Sequence, residues 1–359
     1  MRLPKALRVF VLIGAVYTFL LCINLLGSSL KLLGGGFVNQ LISTTSNPLV
    51  GLFIGILATS LVQSSSVTTS IVVALVGTGS INIVNAIPII MGANVGTTVT
   101  NILVSLAHIT KKREFGHAFS AAVLHDFFNV LSILIFFPLE IHFHIIEKIS
   151  HFLAQIFEGA GGLKITSPLK IILEPVSNSI EGFLAYSPVV LLVVSLVFLF
   201  IALTVLVAMT RSLMSEKAEL FLDKYLFGTA GKSFLLGLSL TAVIQSSSVT
   251  TSLVVPLVGA GLLTLRKIYP YLLGANIGTV ITAILASLVT GSFLGVQAAL
   301  AHLTFNLLGI CVWYPLKKVP IGLAEGFSSF IKEKRMLAVV YLISGFFLLP
   351  ILLIILTRR

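Results

Sequence analysis

Apolar runs of about twenty residues recur from Val9 to Leu356, separated by short clusters of Lys, Arg, Gly, Pro and Asn. The runs near 9–27, 83–109, 116–139, 187–210, 267–290, 293–315 and 337–356 are long enough to cross a hydrocarbon core of about 30 Å. Two further stretches, 48–78 and 230–262, are apolar but carry a polar cluster in the middle. In the first, Leu49–Val62 makes about 21 Å of helix and Val67–Val76 about 15 Å, at 1.5 Å per residue. Neither arm crosses a membrane comfortably alone. The pattern predicts a helix, a polar tip at depth and a helix returning to the same side. Irregular backbone at that depth is tolerated where protein or a wet cavity surrounds it.

The two polar clusters are copies of one another. Gln63-Ser-Ser-Ser-Val-Thr-Thr-Ser70 is repeated as Gln245-Ser-Ser-Ser-Val-Thr-Thr-Ser252, and Gly92-Ala-Asn-Val-Gly-Thr97 as Gly274-Ala-Asn-Ile-Gly-Thr279. Between the windows 63–106 and 245–288, 25 of 44 positions are identical. His125 and Asn129 are paralleled by His302 and Asn306. Three predicted crossings separate the two interrupted stretches, and an odd number inverts the second copy relative to the first. The chain thus reads as an all-α polytopic membrane protein of two inverted-topology repeats. Each repeat holds three crossings and a re-entrant helical hairpin, and a C-terminal helix follows. The division is 1–158 for the first repeat, 159–186 for an external linker, 187–335 for the second repeat and 336–359 for the last helix.

Composition agrees. The chain is 57% hydrophobic and only 10% charged, with a mean hydropathy of +1.10, where a soluble domain carries about 25% charge. The net charge of +11 does not signal nucleic acid, because no recognition motif accompanies it. Its lysines and arginines sit in the connections Lys111–Arg113, 211–232, Arg266–Lys267 and Lys317–Lys318. All of these fall on one side if the N-terminus is cytoplasmic, as the positive-inside rule requires. Glu140, Glu147, Glu158, Glu174 and Glu181 fall in the opposite connection. Seven crossings then place Thr357–Arg359 outside, which sits awkwardly with the same rule. Segments 141–157 and 211–226 mix charges with apolar residues and read as interfacial. Cys22 and Cys311 lie in separate predicted crossings and suggest neither a disulfide nor a metal site.

Clustered hydroxyls and amides in an apolar chain are costly without partners, and duplicated polar breaks point to the binding site of a secondary transporter. Helix N-termini carry unpaired N–H groups and partial positive charge, which favour anions. Ser64, Ser65 and Ser66 open the second arm of one hairpin, and Ser246, Ser247 and Ser248 that of the other. Two such tips meeting near the midplane suit a small oxyanion, without a cation that would bind it too tightly for release. Gln63 and Gln245 add amide oxygens, which can accept from the O–H of phosphate and find no donor on sulfate. Gly92–Thr97 and Gly274–Thr279 each follow a proline, Pro88 or Pro270, and predict helices unwound around Asn94 and Asn276. Freed carbonyls with Asn94, Thr97, Asn276 and Thr279 would make an oxygen shell for sodium. A kink with close glycine packing is the alternative. Thr68, Thr69, Thr250 and Thr251 divide evenly between hairpin packing and ligand contact. Asp126, an intramembrane acid, is a candidate cation ligand, a partner of His125 or a residue facing a wet cavity. No cofactor motif and no catalytic constellation appears, so an enzyme is not expected.

At Gln63–Ser66, Gln245–Ser248, Gly92–Asn94 and Gly274–Asn276 the chain resembles the type II sodium-dependent phosphate cotransporters of the Na/Pi cotransporter (PNaS) family. The resemblance covers about 45–135 and 230–315. It implies sodium-driven uptake of inorganic phosphate, with the hairpin serines near substrate and sodium, and sodium as coupling ion rather than a resident cofactor. The expected location is the cell membrane, as a multi-pass protein of a bacterial inner membrane with a cytoplasmic N-terminus. Oligomeric state stays open. So do a carrier of another small anion, a proton-coupled phosphate carrier and a non-transporting phosphate-signalling protein.

Overall fold

The computed structural model describes residues 47–77, 81–156, 168–184, 228–244, 246–290 and 292–357, with scattered positions within 4–25 and 187–209. The expected crossings 9–27 and 187–210 are described in part, the linker 159–186 is described over 168–184, and the segment 211–226 and Gln245 lie outside the described residues. Every regular element among the described residues is helical. In order they are α1 (Ala6–Ala15), α2 (Pro48–Val62), α3 (Ser65–Gly77), α4 (Ile83–Gly96), α5 (Val99–Leu106), α6 (Lys112–Phe143), α7 (Ile145–Ile156) and α8 (Pro168–Leu184). Then come α9 (Ala230–Ile244), α10 (Ser247–Gly259), α11 (Leu265–Thr290), α12 (Phe293–Trp313), α13 (Lys318–Ile331), α14 (Met336–Ile343) and α15 (Leu349–Thr357). A π-helical turn, Ser344–Leu348, joins the last two.

Four helical stretches are long and apolar enough to cross a membrane: Ile83–Leu106, Lys112–Phe143, Phe293–Trp313 and Met336–Thr357. They coincide with four of the expected crossings, although α6 runs beyond both ends of 116–139. The fifth described crossing, 267–290, is occupied by the continuous helix α11. α7 covers most of 141–157 and packs on α12. Its first turn is capped from α6, because the Glu140 carboxylate accepts the N–H groups of Ile146 at 2.6 Å and Glu147 at 3.2 Å.

The short helices have local causes. Asn47 caps α2 by accepting the Leu49 N–H at 2.9 Å, and Pro48 takes the first helical position, where its missing N–H costs nothing. α2 ends at Gln63, whose φ of 56° is left-handed. Ser64 then accepts the Val67 N–H at 3.3 Å and starts α3. A two-residue turn therefore reverses the chain at the first Gln-Ser-Ser-Ser. In the second copy Ser246 does the same for α10, accepting from Val249 at 3.4 Å.

The two most closely packed helix pairs, α2 with α4 and α9 with α11, are built on glycine. A methyl group on Gly55 or Gly92 would meet the carbonyl of Ile89 or Leu52, and on Gly237 or Gly274 that of Tyr271 or Phe234. Gly96 and Gly278 similarly abut Thr59 and Thr241. These glycines let backbones approach to direct contact, as small residues do between membrane helices. They do not unwind the chain. α11 continues through Asn276, and Asn94 lies inside α4, with only a brief interruption at Thr97–Thr98. The expected unwinding around Asn94 and Asn276 is thus corrected: the intrahelical bonds persist because the glycines are filled by a neighbouring helix rather than by solvent.

The two sequence copies interlock. α3 packs against α11 and α12 of the second copy, and α10 packs against α5 and α6 of the first. The C-terminal stretch packs on the first copy, with α13 on α6, α14 on α5 and α15 on α2.

Candidate functional site

The crossing of the two copies brings the starts of α3 and α10 together. Ser65 Oγ lies 3.4 Å from Ser247 Oγ, and both serines are buried. Ser64 and Ser246 cap these two helices, and Ser66 and Ser248 follow one residue further on and are also buried. Two helix N-termini thus converge on one buried point, where first-turn N–H groups have no intrahelical acceptor. Gln63 sits beside it, its Oε1 accepting from Thr100 Oγ1 of α5 at 2.9 Å. That bond and the Gln63 N–H donating to Thr59 O at 2.7 Å hold the left-handed turn.

Below this point runs a ring of side chains whose bonds exchange when equivalent residues are exchanged. Asn94 Nδ2 donates to Asn306 Oδ1 at 2.7 Å, and Asn276 Nδ2 donates to Asn129 Oδ1 at 3.0 Å. His302 Nε2 donates to Asn94 Oδ1 at 2.8 Å, and His125 Nε2 to Asn276 Oδ1 at 2.6 Å. The ring closes through Asn129 Nδ2 on Asn94 O at 3.2 Å and Asn306 Nδ2 on Asn276 O at 3.4 Å. Because each asparagine oxygen needs a donor, both imidazoles carry their proton on Nε2. His125 Nδ1 then accepts from Asn101 Nδ2 at 3.3 Å, and Asn101 Oδ1 accepts from Thr251 Oγ1 of α10 at 2.9 Å. In the second copy Ala283 stands where Asn101 does, and His302 Nδ1 has no partner among the described residues.

The threonines share one geometry. Thr68, Thr97, Thr250 and Thr279 each donate to the carbonyl four residues earlier, at 3.3, 2.9, 3.0 and 3.0 Å. A hydroxyl whose proton is spent on the helix keeps its oxygen lone pairs, so it can coordinate a cation but cannot donate to an anion.

Asp126 is buried and stands apart from the symmetric ring. Thr98 Oγ1 donates to its Oδ1 at 2.9 Å, and the Tyr341 hydroxyl of α14 donates to its Oδ2. The ring of Tyr341 is held edge-on by Phe119, Phe327 and Phe346, at centroid distances of 6.5, 5.0 and 6.0 Å. The alternative pairing of Asp126 with His125 is not formed. Adjacent positions on a helix point about 100° apart, and His125 turns to Asn276 instead.

Sequence reasoning missed Thr98, Thr100, Asn101 and Tyr341. Thr100 carried a signal, since Thr282 repeats it. Tyr341 carried a weaker one, as one of two hydroxyl groups, with Ser344, in the strongly apolar run 336–356.

The fold and this buried polar centre define a helical membrane protein whose interior polar groups are shared between two sequence copies. The family model described as Na+/Pi-cotransporter matches residues 18–164 and 197–350, and the chain belongs to that family. Similar proteins include the "Sodium-dependent phosphate transport protein 2B" of Pongo abelii and that of Homo sapiens. Each is 32% identical over 96% of this chain and 64% of the relative. The "Sodium-dependent phosphate transport protein 2A" of Rattus norvegicus is 33% identical over 96% of this chain and 67% of the relative. This chain therefore spans just under two thirds of the length of the 2B proteins. These relatives are named as transport proteins, not enzymes. No solved structure gives a significant match.

Proposed function

We propose that the chain is a secondary active transporter that couples sodium influx to uptake of inorganic phosphate. The observation that carries this reading is the 3.4 Å approach of Ser65 and Ser247, 182 residues apart, in a family whose relatives are named sodium-dependent phosphate transport proteins. In this reading the α2–α3 and α9–α10 pairs are re-entrant hairpins of two inverted repeats, 1–158 and 187–335, joined by the external linker 159–186. The segment 336–359 is added as a last crossing. The N-terminus is cytoplasmic and the membrane a bacterial inner membrane.

Phosphate is held between the tips by Gln63, Ser64, Ser65 and Ser66 on one side and Gln245, Ser246, Ser247 and Ser248 on the other. Serine hydroxyls and first-turn N–H groups donate to its oxygens, and glutamine oxygens accept from its O–H. Sodium is taken by oxygens that cannot donate: Thr68, Thr97, Thr250 and Thr279, with Asp126 supplying the charge and Asn94 and Asn276 their amide oxygens. The last two must then exchange a histidine donor for the ion. Sodium entering first lowers the cost of admitting an anion to an apolar interior. One net charge moved through 100 mV supplies about 2.3 kcal/mol to the cycle. Access alternates by movement of one part of the bundle against the rest. No cofactor takes part.

The test is uptake of radioactive phosphate into proteoliposomes. An inward sodium gradient should drive accumulation above equilibrium. Accumulation that follows a pH gradient and ignores sodium would point to proton coupling, and binding without accumulation to a signalling role.

A further inference from the structure

At the end of the bundle remote from the serine contact, a cavity of about 760 Å³ opens between the first turns of α6, the α10–α11 connection and the end of α13. Three separate stretches of chain supply its walls. α13 is fastened to α6 by Ser328 Oγ donating to Gly116 O at 2.5 Å. The Lys332 stem lies against Gly116, where a Cβ would sit in ordinary contact at 3.5 Å from Lys332 Cδ.

The charges in this cavity are unequally engaged. Lys112 is paired, its Nζ 2.5 Å from Glu333 Oε2. That bond, with Lys332 and Arg335 nearby, holds the Glu333 carboxyl below the usual carboxylate range. Arg113 and Lys332 line the same cavity and make no ion pair among the described residues, and Glu325 is the one lining carboxylate likewise without one, so two unpaired cations face one unpaired anion. Lys111, which precedes α6, makes no side-chain bond to the first-turn N–H groups. The first turn of α6 carries Glu114, which meets part of the positive end of the helix. Thr264 and Ser329 add hydroxyls.

We propose that this cavity is a second ligand site, for a phosphate-bearing anion. A planar guanidinium and an ammonium facing one space suit an oxyanion of more than one charge. The volume exceeds what inorganic phosphate fills and falls within the range of small-molecule sites, so the ligand is an organic phosphate. Free phosphate monoesters and the headgroup of an anionic phospholipid share this chemistry. The site acts through α10, which runs from the cavity at Val258 to Ser247, about 16 Å away at 1.5 Å per residue. Occupancy fastens the base of α10 to α6 and α13 and so restrains the tip. This inference does not rest on the transport reading.

The test uses purified full-length protein carrying Ser65→Ala and Ser247→Ala, which removes the central serine contact, in nanodiscs of phosphatidylcholine. Glycerol phosphate should raise the unfolding temperature saturably and without sodium, or replacement of some phosphatidylcholine by phosphatidylglycerol should raise it. The first result assigns a soluble ligand and the second a lipid. Adding Arg113→Gln and Lys332→Gln, both at the water-facing mouth, should weaken the response at least tenfold in ligand concentration while leaving the starting unfolding temperature in place. No response to either probe, or a response that survives loss of Arg113 and Lys332, overturns the proposal.

Discussion

The carboxamide of Asn94 donates to that of Asn306 across 2.7 Å, although 212 residues separate them. Its counterpart, Asn276 to Asn129, repeats the bond at 3.0 Å. Each asparagine of one Gly-Ala-Asn phrase is thus clamped by a histidine and an asparagine of the other copy. The halves are joined through amides rather than through apolar contact alone, which is what gives the interior a defined register.

Removing one clamp should therefore weaken the whole fold. Asn94→Ala leaves the Asn306 oxygen and the His302 N–H without partners in a buried site. Interhelical bonds in membranes average about 0.6 kcal/mol with a maximum near 1.7, so the loss of two should cost about 1–3 kcal/mol. A fall in thermal unfolding temperature in detergent checks this. Asn276→Ala should fall by a similar amount, and an unchanged transition in both would show that the ring does not hold the halves together.

The glycine contacts give a sharper contrast. Gly92→Ala and Gly274→Ala place a methyl group against backbone carbonyls of Leu52 and Phe234, which cannot turn aside. Each should cost about 3 kcal/mol or more, at the upper end of overpacking, and reduce the yield of folded protein. Gly322→Ala in α13 meets nothing within 4 Å and should be neutral or stabilising by about 0.5–1 kcal/mol. Size-exclusion profiles of the three variants, expressed together, separate these outcomes.

Asp126 depends on an element outside the duplicated region. Thr98 has one proton and offers it to both Val95 O, at 2.7 Å, and Asp126 Oδ1, at 2.9 Å. Tyr341 is therefore the undivided donor. Tyr341→Phe should destabilise by about 1.5–3 kcal/mol, the range for a hydrogen bond to a charged group. Asp126→Asn should lessen the cost of Tyr341→Phe, because a neutral amide needs the donor less. A double-mutant cycle on unfolding free energy measures the coupling, and strictly additive losses would count against the contact.

Much of this was legible in the sequence for a physical reason. Crossings such as 116–139 and 293–315 are set by hydrophobic length, which is a local property. The meeting of Ser65 with Ser247 followed from an exact eight-residue duplication placed in two interrupted apolar spans. What was misread is equally instructive. Gly92 and Gly274 look alike whether they loosen a helix or seat one against its neighbour, and only the position of α2 and α9 decides. One of the alternatives for Asp126, a pairing with the adjacent His125, does not form. The partners that Asp126 does have, Thr98 and Tyr341, come from a turn and from the C-terminal helix, and no local pattern links them. The Thr100 bond to Gln63 was visible only as a repeated threonine without a role.

The central claim is that the two tips hold one substrate jointly, and phosphate affinity tests it most directly. In proteoliposomes at saturating sodium, the phosphate concentration for half-maximal uptake should rise for Ser65→Ala and for Ser247→Ala. The expected change is about tenfold in each, corresponding to about 1.4 kcal/mol. The double variant should fall short of the product, because both serines serve the same bound anion. Wild-type half-saturation in both single variants would contradict the account.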